Sequence, residues 1–262
     1  MQLALSGRLG ETSQGYTSTL MEQMSTAAAM GYQGIEIRYP LLPPGDDIAA
    51  VRDELQRLGL TAVFSPVAGM PKDDEARADV IRVLDTLQQL GTPYVKAIGA
   101  TTEDYDRLRE IADLAGERGI KATTQLHANS LCDTVERTEK CLNDINHPNL
   151  GLIFDAAHLP FADDNDIDGA VRRLRPWIDL VNVQSYAPAE TDQSGRQRHV
   201  INDREWVIAL PGEPDGVDLA AYIKSLSTAG FDGWVTVMPA VDPSMDAAVV
   251  ARQYYDFLSP LV

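Results

Sequence analysis

The chain has 262 residues, 44% of them hydrophobic and 23% charged, a balance that excludes disorder and suits a folded globular protein. Its formal net charge of −17 argues against sequence-independent binding to nucleic acid, whose phosphates would be repelled. No apolar run approaches the roughly 18 residues of a membrane span, so no membrane partner is expected.

The start of the chain, Met1 to Arg8, lacks the basic segment and long apolar core of a signal peptide and reads as a strand. Cys132 and Cys141 lie nine residues apart on a predicted helix. That spacing suggests neither a disulfide nor a zinc site, so reduced thiols and a cytoplasmic protein are expected.

A recurring phrase organises the chain: a helical stretch ends at a glycine, and an apolar or β-branched run follows within a few residues. Gly31, Gly59, Gly91, Gly119 and Gly230 each close such a stretch. The runs predict eight strands, covering 3–6, 34–38, 60–65, 94–98, 120–125, 150–155, 180–184 and 234–238. Successive strands lie about 25 to 35 residues apart, the last pair excepted, which is the length of a βα unit. Between them, Ile48, Val51, Leu55 and Leu58 fall on one helical face. Helical patterns also cover 76–90, 103–118, 134–145 and 219–229. Eight alternating units predict a single-domain (β/α)8 barrel over 1–262. A doubly wound open sheet is the alternative, disfavoured by the lack of a glycine-rich phosphate fingerprint after the first strand. The connection 185–215 is longer and polar, carrying Gln193 to His199 and Arg204-Glu-Trp206, and is expected to form a lid or substrate-binding loop over the barrel mouth.

The stretch Gly151-Leu-Ile-Phe-Asp155-Ala-Ala-His158 is a buried strand ending in a carboxylate, with an imidazole on the following turn. In parallel α/β folds chemistry collects at this end of the strands, although such an Asp can also simply cap the next helix. Strand alternation predicts which other groups face inward. These are Ser6 and Arg8, Glu36 and Arg38, Lys96, Thr123, Gln125 and His127, Asp155, then Asn182, Gln184 and Tyr186, and finally Thr236 and Met238. Glu36 could instead pair with Arg38 or Lys96 in an internal ion-pair layer. Arg8, Arg38, Lys96, His127 and His158, with Arg196, Arg198 and His199 from the long connection, would make a cationic funnel in an acidic protein. A small anionic or polyol substrate is therefore expected.

The segment Asn146 to His158 is similar to the "hPNLGl.fDtgH" phrase of the xylose isomerase-like TIM barrels, the sugar phosphate isomerase/epimerase group. Gly31-Tyr-Gln-Gly-Ile-Glu36, Leu210-Pro-Gly-Glu-Pro214 and Gly230-Phe-Asp-Gly233 resemble other phrases of that family. The resemblance implies a divalent cation held by Glu, Asp, His and Glu at the ends of the fifth to eighth strands. Matched residue by residue, only Asp155 is kept; Gln125, Gln184 and Met238 stand at the other positions. His158 matches a substrate-contacting histidine, and His127 a frequent histidine after the fifth strand. One carboxylate, two amides and a thioether suit a hard cation poorly. No tight metal is expected, with weak Mn²⁺ or Mg²⁺ binding through Gln125, Asp155 and Gln184 left open. The resemblance also implies dimers or tetramers, with Trp177 and Tyr254-Tyr255 either in such an interface or packed in the barrel shell.

Two functions compete. The first is an isomerase, epimerase or carbon–oxygen lyase that removes a proton next to a carbonyl of a keto-sugar or sugar acid. It would use His158, His127, Asp155, Lys96 and Glu36 for catalysis, and Arg8, Arg38, Gln125, Gln184, Tyr186, Arg198 and Trp206 for binding. The loss of a carboxylate on the eighth strand favours the lyase chemistry. The second is a metal-lost relative that serves as a binding or sensor subunit.

Overall fold

A computed structural model describes residues 1–12, 14–99, 101–191, 195–239 and 242–262, with backbone alone for Asp46 and Thr191. Eight parallel strands close into a barrel: β1 (Gln2–Leu5), β2 (Gly34–Glu36), β3 (Thr61–Pro66), β4 (Tyr94–Lys96), β5 (Lys121–Gln125), β6 (Leu150–Asp155), β7 (Ile178–Val183) and β8 (Trp234–Val237). Each pairs with its sequence neighbour, and β8 closes on β1 through Leu3↔Val235 and Leu5↔Val237. Around the barrel run α1 (Leu20–Met30), α2 (Ile48–Leu58), α3 (Asp74–Leu90), α4 (Tyr105–Gly116), α5 (Val135–Ile145), α6 (Ile167–Leu174), α7 (Leu219–Thr228) and α8 (Ala247–Leu258). The fold is a (β/α)8 barrel.

Two cores follow from the alternation of the strands. Leu3, Leu5, Ile35, Ile37, Leu152, Phe154, Val181, Val183, Val235 and Val237 point outward and pack under the helices. Ala4, Val63, Phe64, Ile153 and Leu180 fill the barrel interior, floored by Tyr94 and Trp234. Above this apolar layer the same inward parity carries Ser6, Glu36, Lys96, Thr123, Gln125, Asp155, Asn182 and Thr236, all buried. Burial of so many polar groups on one level is costly unless they partner one another or a ligand. The β6–β7–β8 register sets Asp155 beside Asn182 and Asn182 beside Thr236.

The ends of the elements are governed locally. Thr19 and Glu22 form a reciprocal capping box at the start of α1. Gly31 ends that helix at φ 98°, and a Cβ there would meet the Tyr255 ring. β2 and β4 stop two residues earlier than the sequence pattern suggests, and β2 shifts register against β3 between Ile35 and Glu36. Cys132 lies in the loop before α5 rather than on a helix, and its thiol meets that of Cys141 from α5. Both are free and buried. Tyr254 is buried within the shell, its hydroxyl donating to Ala209 O at 3.3 Å, and Tyr255 packs edge-on against Tyr32. Tyr254 thus packs inside the shell, and Tyr255 lies half-buried against it. Among the described residues no helix is long and apolar enough to cross a membrane.

The connection after β7 is more ordered than a loop. Tyr186–Pro188, Arg204–Ile208 and His199–Ile201 form a three-stranded antiparallel sheet. Its tight turn is Asn202-Asp203, both at positive φ, which suits the twist of a two-residue hairpin. Asn202 Nδ2 donates to Phe161 O at 2.8 Å, and Arg204 pairs with Asp163 at 2.6 Å. Trp206 packs edge-on against Phe161 at 4.8 Å and, with Ala128, forms a small apolar cluster. Gln193 and Ser194 of the long connection lie outside the described residues.

Because Trp206 is 5% exposed and ties this sheet to the barrel rim, Trp206→Ala should destabilise the protein by about 3–5 kcal/mol in urea titrations, and Trp206→Phe by much less.

Candidate active site

The tight loop after β5 builds the centre of the site. His127 N donates to Cys132 O at 2.9 Å, Ser130 Oγ donates to His127 O at 2.7 Å, and Leu131 N donates to Gly99 O at 3.0 Å. These bonds pin the turn and leave the Ala128 peptide facing two imidazoles. Ala128 N donates to His158 Nδ1 at 3.1 Å. Ala128 O lies 2.7 Å from His127 Nδ1. A peptide N–H only donates and a carbonyl only accepts, so the partners assign both neutral tautomers. His127 carries its proton on Nδ1 and keeps a free lone pair on Nε2. His158 carries its proton on Nε2, which faces Asp155 Oδ2 at 3.5 Å; Gln184 Nε2, itself a donor to Asp155, lies 3.4 Å away and accepts nothing from it. The rings lie 4.2 Å apart, tilted by 37°. Burial lowers the pKa of both, His158 the more, so both are neutral near pH 7.

Asp155 ends β6, completely buried. Gln125 Nε2 and Gln184 Nε2 both donate to its Oδ2, at 3.2 and 2.7 Å, and Ala157 N donates to its Oδ1. Burial raises its pKa to about 7, against the lowering effect of these bonds and of the Lys96 charge. The two amides thus present N–H groups to the carboxylate oxygen that a cation would need. Among the described residues no three His, Cys, Asp or Glu side chains converge on one point. Each missing anionic ligand would forfeit on the order of 4 kcal/mol of attraction at 4 Å in a surface-like dielectric. This donor set does not fit a hard divalent cation.

The chamber above these groups has a volume of about 400 Å³. Arg8, Arg38 and Lys96 line it, with no carboxylate, alongside Gln125, His127, His158, Gln184, Tyr186 and Met238. Arg8 is held by Glu11 at 2.8 Å. Arg38 is held by Glu36 at 3.2 Å and by the Tyr16 hydroxyl. Glu36 is fully buried behind the chamber, bonded to Ser6 and Arg38. It acts on Arg38, and no ion pair joins it to Lys96 among the described residues. Lys96 is 8% exposed and makes no hydrogen bond or ion pair to a described residue, and desolvation lowers its pKa to about 8. It is the chamber's unspent charge.

Several expected groups lie elsewhere. Arg198 pairs with Glu205 on the outer, exposed side of the three-stranded sheet, and Arg196 binds Glu213 and Ile208 O. Neither lines the chamber, so the funnel is narrower than the sequence suggests. Trp206 supports the wall from behind, while Tyr186 and Ile201 face the chamber. His158 is buried at 4% exposure rather than open at the mouth. The sequence reading missed Glu11 and Tyr16, which hold the arginines, and Asn129, which borders the chamber at φ 60°. The Ala-Asn pair directly after His127 is the one local signal for that turn.

The histidine shifts have a consequence for stability. As pH falls through about 6.5 the unfolded chain takes up protons that the folded imidazoles refuse, so stability is lost. Asp155, shifted upward, works in the opposite sense. The difference between wild type and His127→Gln isolates one imidazole: the variant should lose less stability between about pH 7 and 5.5 in denaturant titrations.

Comparison with known proteins agrees with this architecture. The sequence profile described as xylose isomerase-like TIM barrel matches residues 24–258. An inosose dehydratase of Geobacillus thermodenitrificans is 25% identical over 63% of this chain, and the match spans 59% of that relative's length. Among solved structures, the probable 3-DHS dehydratase AsbF of Bacillus anthracis superposes with a TM-score of 0.78 at 15% identity, covering 99% of both chains. The IOLI protein, solved with a zinc atom bound, superposes at 0.76 with 19% identity, covering 100% of this chain and 99% of its own. At such identities the structural likeness speaks for the fold alone. The chain belongs to the xylose isomerase-like TIM barrel family.

Proposed function

We propose that the protein is a dehydratase for a small polyhydroxylated ketone, a keto-sugar or cyclic keto-polyol, that works without a tightly held divalent cation. The observation that carries this reading is the pair of opposite tautomers set by Ala128, beside a Lys96 that pairs with no described residue. His127 Nε2 takes the proton from the carbon next to the carbonyl. The electron pair of that C–H bond moves toward the carbonyl oxygen, where the Lys96 ammonium balances the developing charge. The enolate then reforms its carbonyl, the bond to the hydroxyl on the next carbon breaks, and His127 returns its proton to that oxygen. Water leaves and a carbon–carbon double bond remains. His158, with Nδ1 engaged by Ala128 and Nε2–H turned toward Asp155, is not the base; its ring packs against His127 and positions it. Asp155, clamped by Gln125 and Gln184, holds that arrangement from beneath.

Isomerisation and epimerisation are the neighbouring reactions of this class, but they return the proton at a different carbon or on the other face. Met238 stands where the family resemblance places a second carboxylate, leaving one free base, enough for elimination. The names of the dehydratase relatives point the same way.

The test is water loss from 2-keto-myo-inositol and from 3-dehydroshikimate, followed by mass spectrometry with EDTA present. Dehydration of either supports the reading; activity that appears only on addition of Mn²⁺ would contradict it. Saturable binding with no water loss would favour the binding-subunit alternative. In an active enzyme, His127→Gln should cost about 10²–10⁴ in kcat, and Lys96→Met about 10²–10³. The alkaline limb of kcat/KM should fall near pH 8, as Lys96 loses its proton. Lys96→Arg should move that limb upward, since a guanidinium stays charged.

A further inference from the structure

A second and larger cavity, of about 930 Å³, lies between the β1–α1 connection and the start of α8. A small recess of about 120 Å³ shares lining residues with both this cavity and the reaction chamber. Arg8 borders all three spaces, and His199 borders the outer cavity and the recess. Gln184, Tyr186 and Met238 border both the recess and the chamber. The chamber is near the small end of the usual range for ligand sites and the outer cavity near the large end. A single-ring substrate filling the chamber would leave the outer cavity unused.

The two spaces differ in chemistry. Among the described residues the chamber is lined by Arg8, Arg38 and Lys96 and by no carboxylate; the arginines are paired with Glu11 and Glu36, so its net positive charge comes mainly from Lys96. Among the described residues the outer cavity is lined by Glu11, Glu22, Asp242 and Asp246, with Arg8 its only Lys or Arg. An anionic unit is therefore directed inward and repelled outside. The outer cavity also offers acceptors. Gln23 is 1% exposed; its Nε2 donates to Leu9 O at 2.7 Å and to Ser18 Oγ at 3.0 Å, while its Oε1 has no partner among the described residues. His199 Nε2 is buried and has no partner among the described residues; it accepts or donates according to its tautomer. Buried polar atoms of this kind cost free energy unless a ligand group meets them. Leu9 and Met245 add apolar surface. Acceptors beside an apolar face suit a neutral, hydroxyl-bearing ring, which presents O–H groups at its edge and C–H groups on its face.

We infer that the substrate has two units: a keto-sugar or sugar-acid unit in the chamber, joined to a neutral, hydroxyl-rich unit seated in the outer cavity against Gln23 and His199. This rests on the chamber being the substrate site proposed above. Arg8, at the junction, meets the linkage between the units.

The test compares two acids by calorimetry on the full chain: gluconate, a single unit, and cellobionate, gluconate carrying a neutral glucosyl ring. Cellobionate should bind about ten-fold or more tightly than gluconate. Thr26→Trp, on a partly exposed face of α1 lining the outer cavity, should erase that advantage. Its unchanged affinity for gluconate would show that the variant is folded and its chamber intact. Equal affinities of the wild type for both acids, or an advantage that survives Thr26→Trp, would overturn the inference. Binding of neither acid would overturn this inference, while the reading of the chamber stands or falls separately on the water-loss assay with the two ketones.

Discussion

One peptide group governs the chemistry available at this barrel mouth. The N–H and the carbonyl of Ala128 each engage a different histidine, and the opposite polarity of the two groups forces opposite tautomers. A lone pair is thereby kept free on His127, and a proton is fixed on the inner nitrogen of His158. The turn that presents Ala128 is itself pinned by Cys132, Ser130 and Gly99. In the function proposed above, backbone geometry distributes the roles of base and donor, and Asp155 faces the protonated nitrogen of His158.

The same economy of charge applies below. Where the family resemblance places anionic ligands around a cation, this chain has two amides that turn their N–H groups onto Asp155. The carboxylate accepts from both amides and from Ala157, and Lys96 lines the same chamber with no ion pair to a described residue. Arg8 and Arg38 are neutralised by Glu11 and Glu36, which makes them positioning groups with little free charge to offer. A buried ammonium with no partner is costly to maintain and most valuable where negative charge develops in a reaction.

Much of this was legible in the sequence because it depends on short periods. The glycine-closed helices and apolar runs located all eight strands, and strand parity placed Glu36, Lys96, Gln125, Asp155 and Asn182 inside the barrel. Helices α6 and α8 were not read, being short or partly apolar all round. Parity fails once a strand ends. It cannot say that Arg198 faces solvent beside Glu205, or that Trp206 supports the wall from behind, because both sit on a sheet that begins after the barrel strand stops. The Asn202-Asp203 turn signalled that sheet and was overlooked. The tautomers were beyond sequence reasoning altogether, since they depend on where one peptide plane points.

The most direct test of the account is the tautomeric state of the two histidines, read from two-bond ¹H–¹⁵N correlations of the imidazoles at neutral pH. The account predicts a proton on Nδ1 of His127 and on Nε2 of His158. A proton on Nε2 of His127, or the same tautomer on both rings, would remove the free base and contradict it.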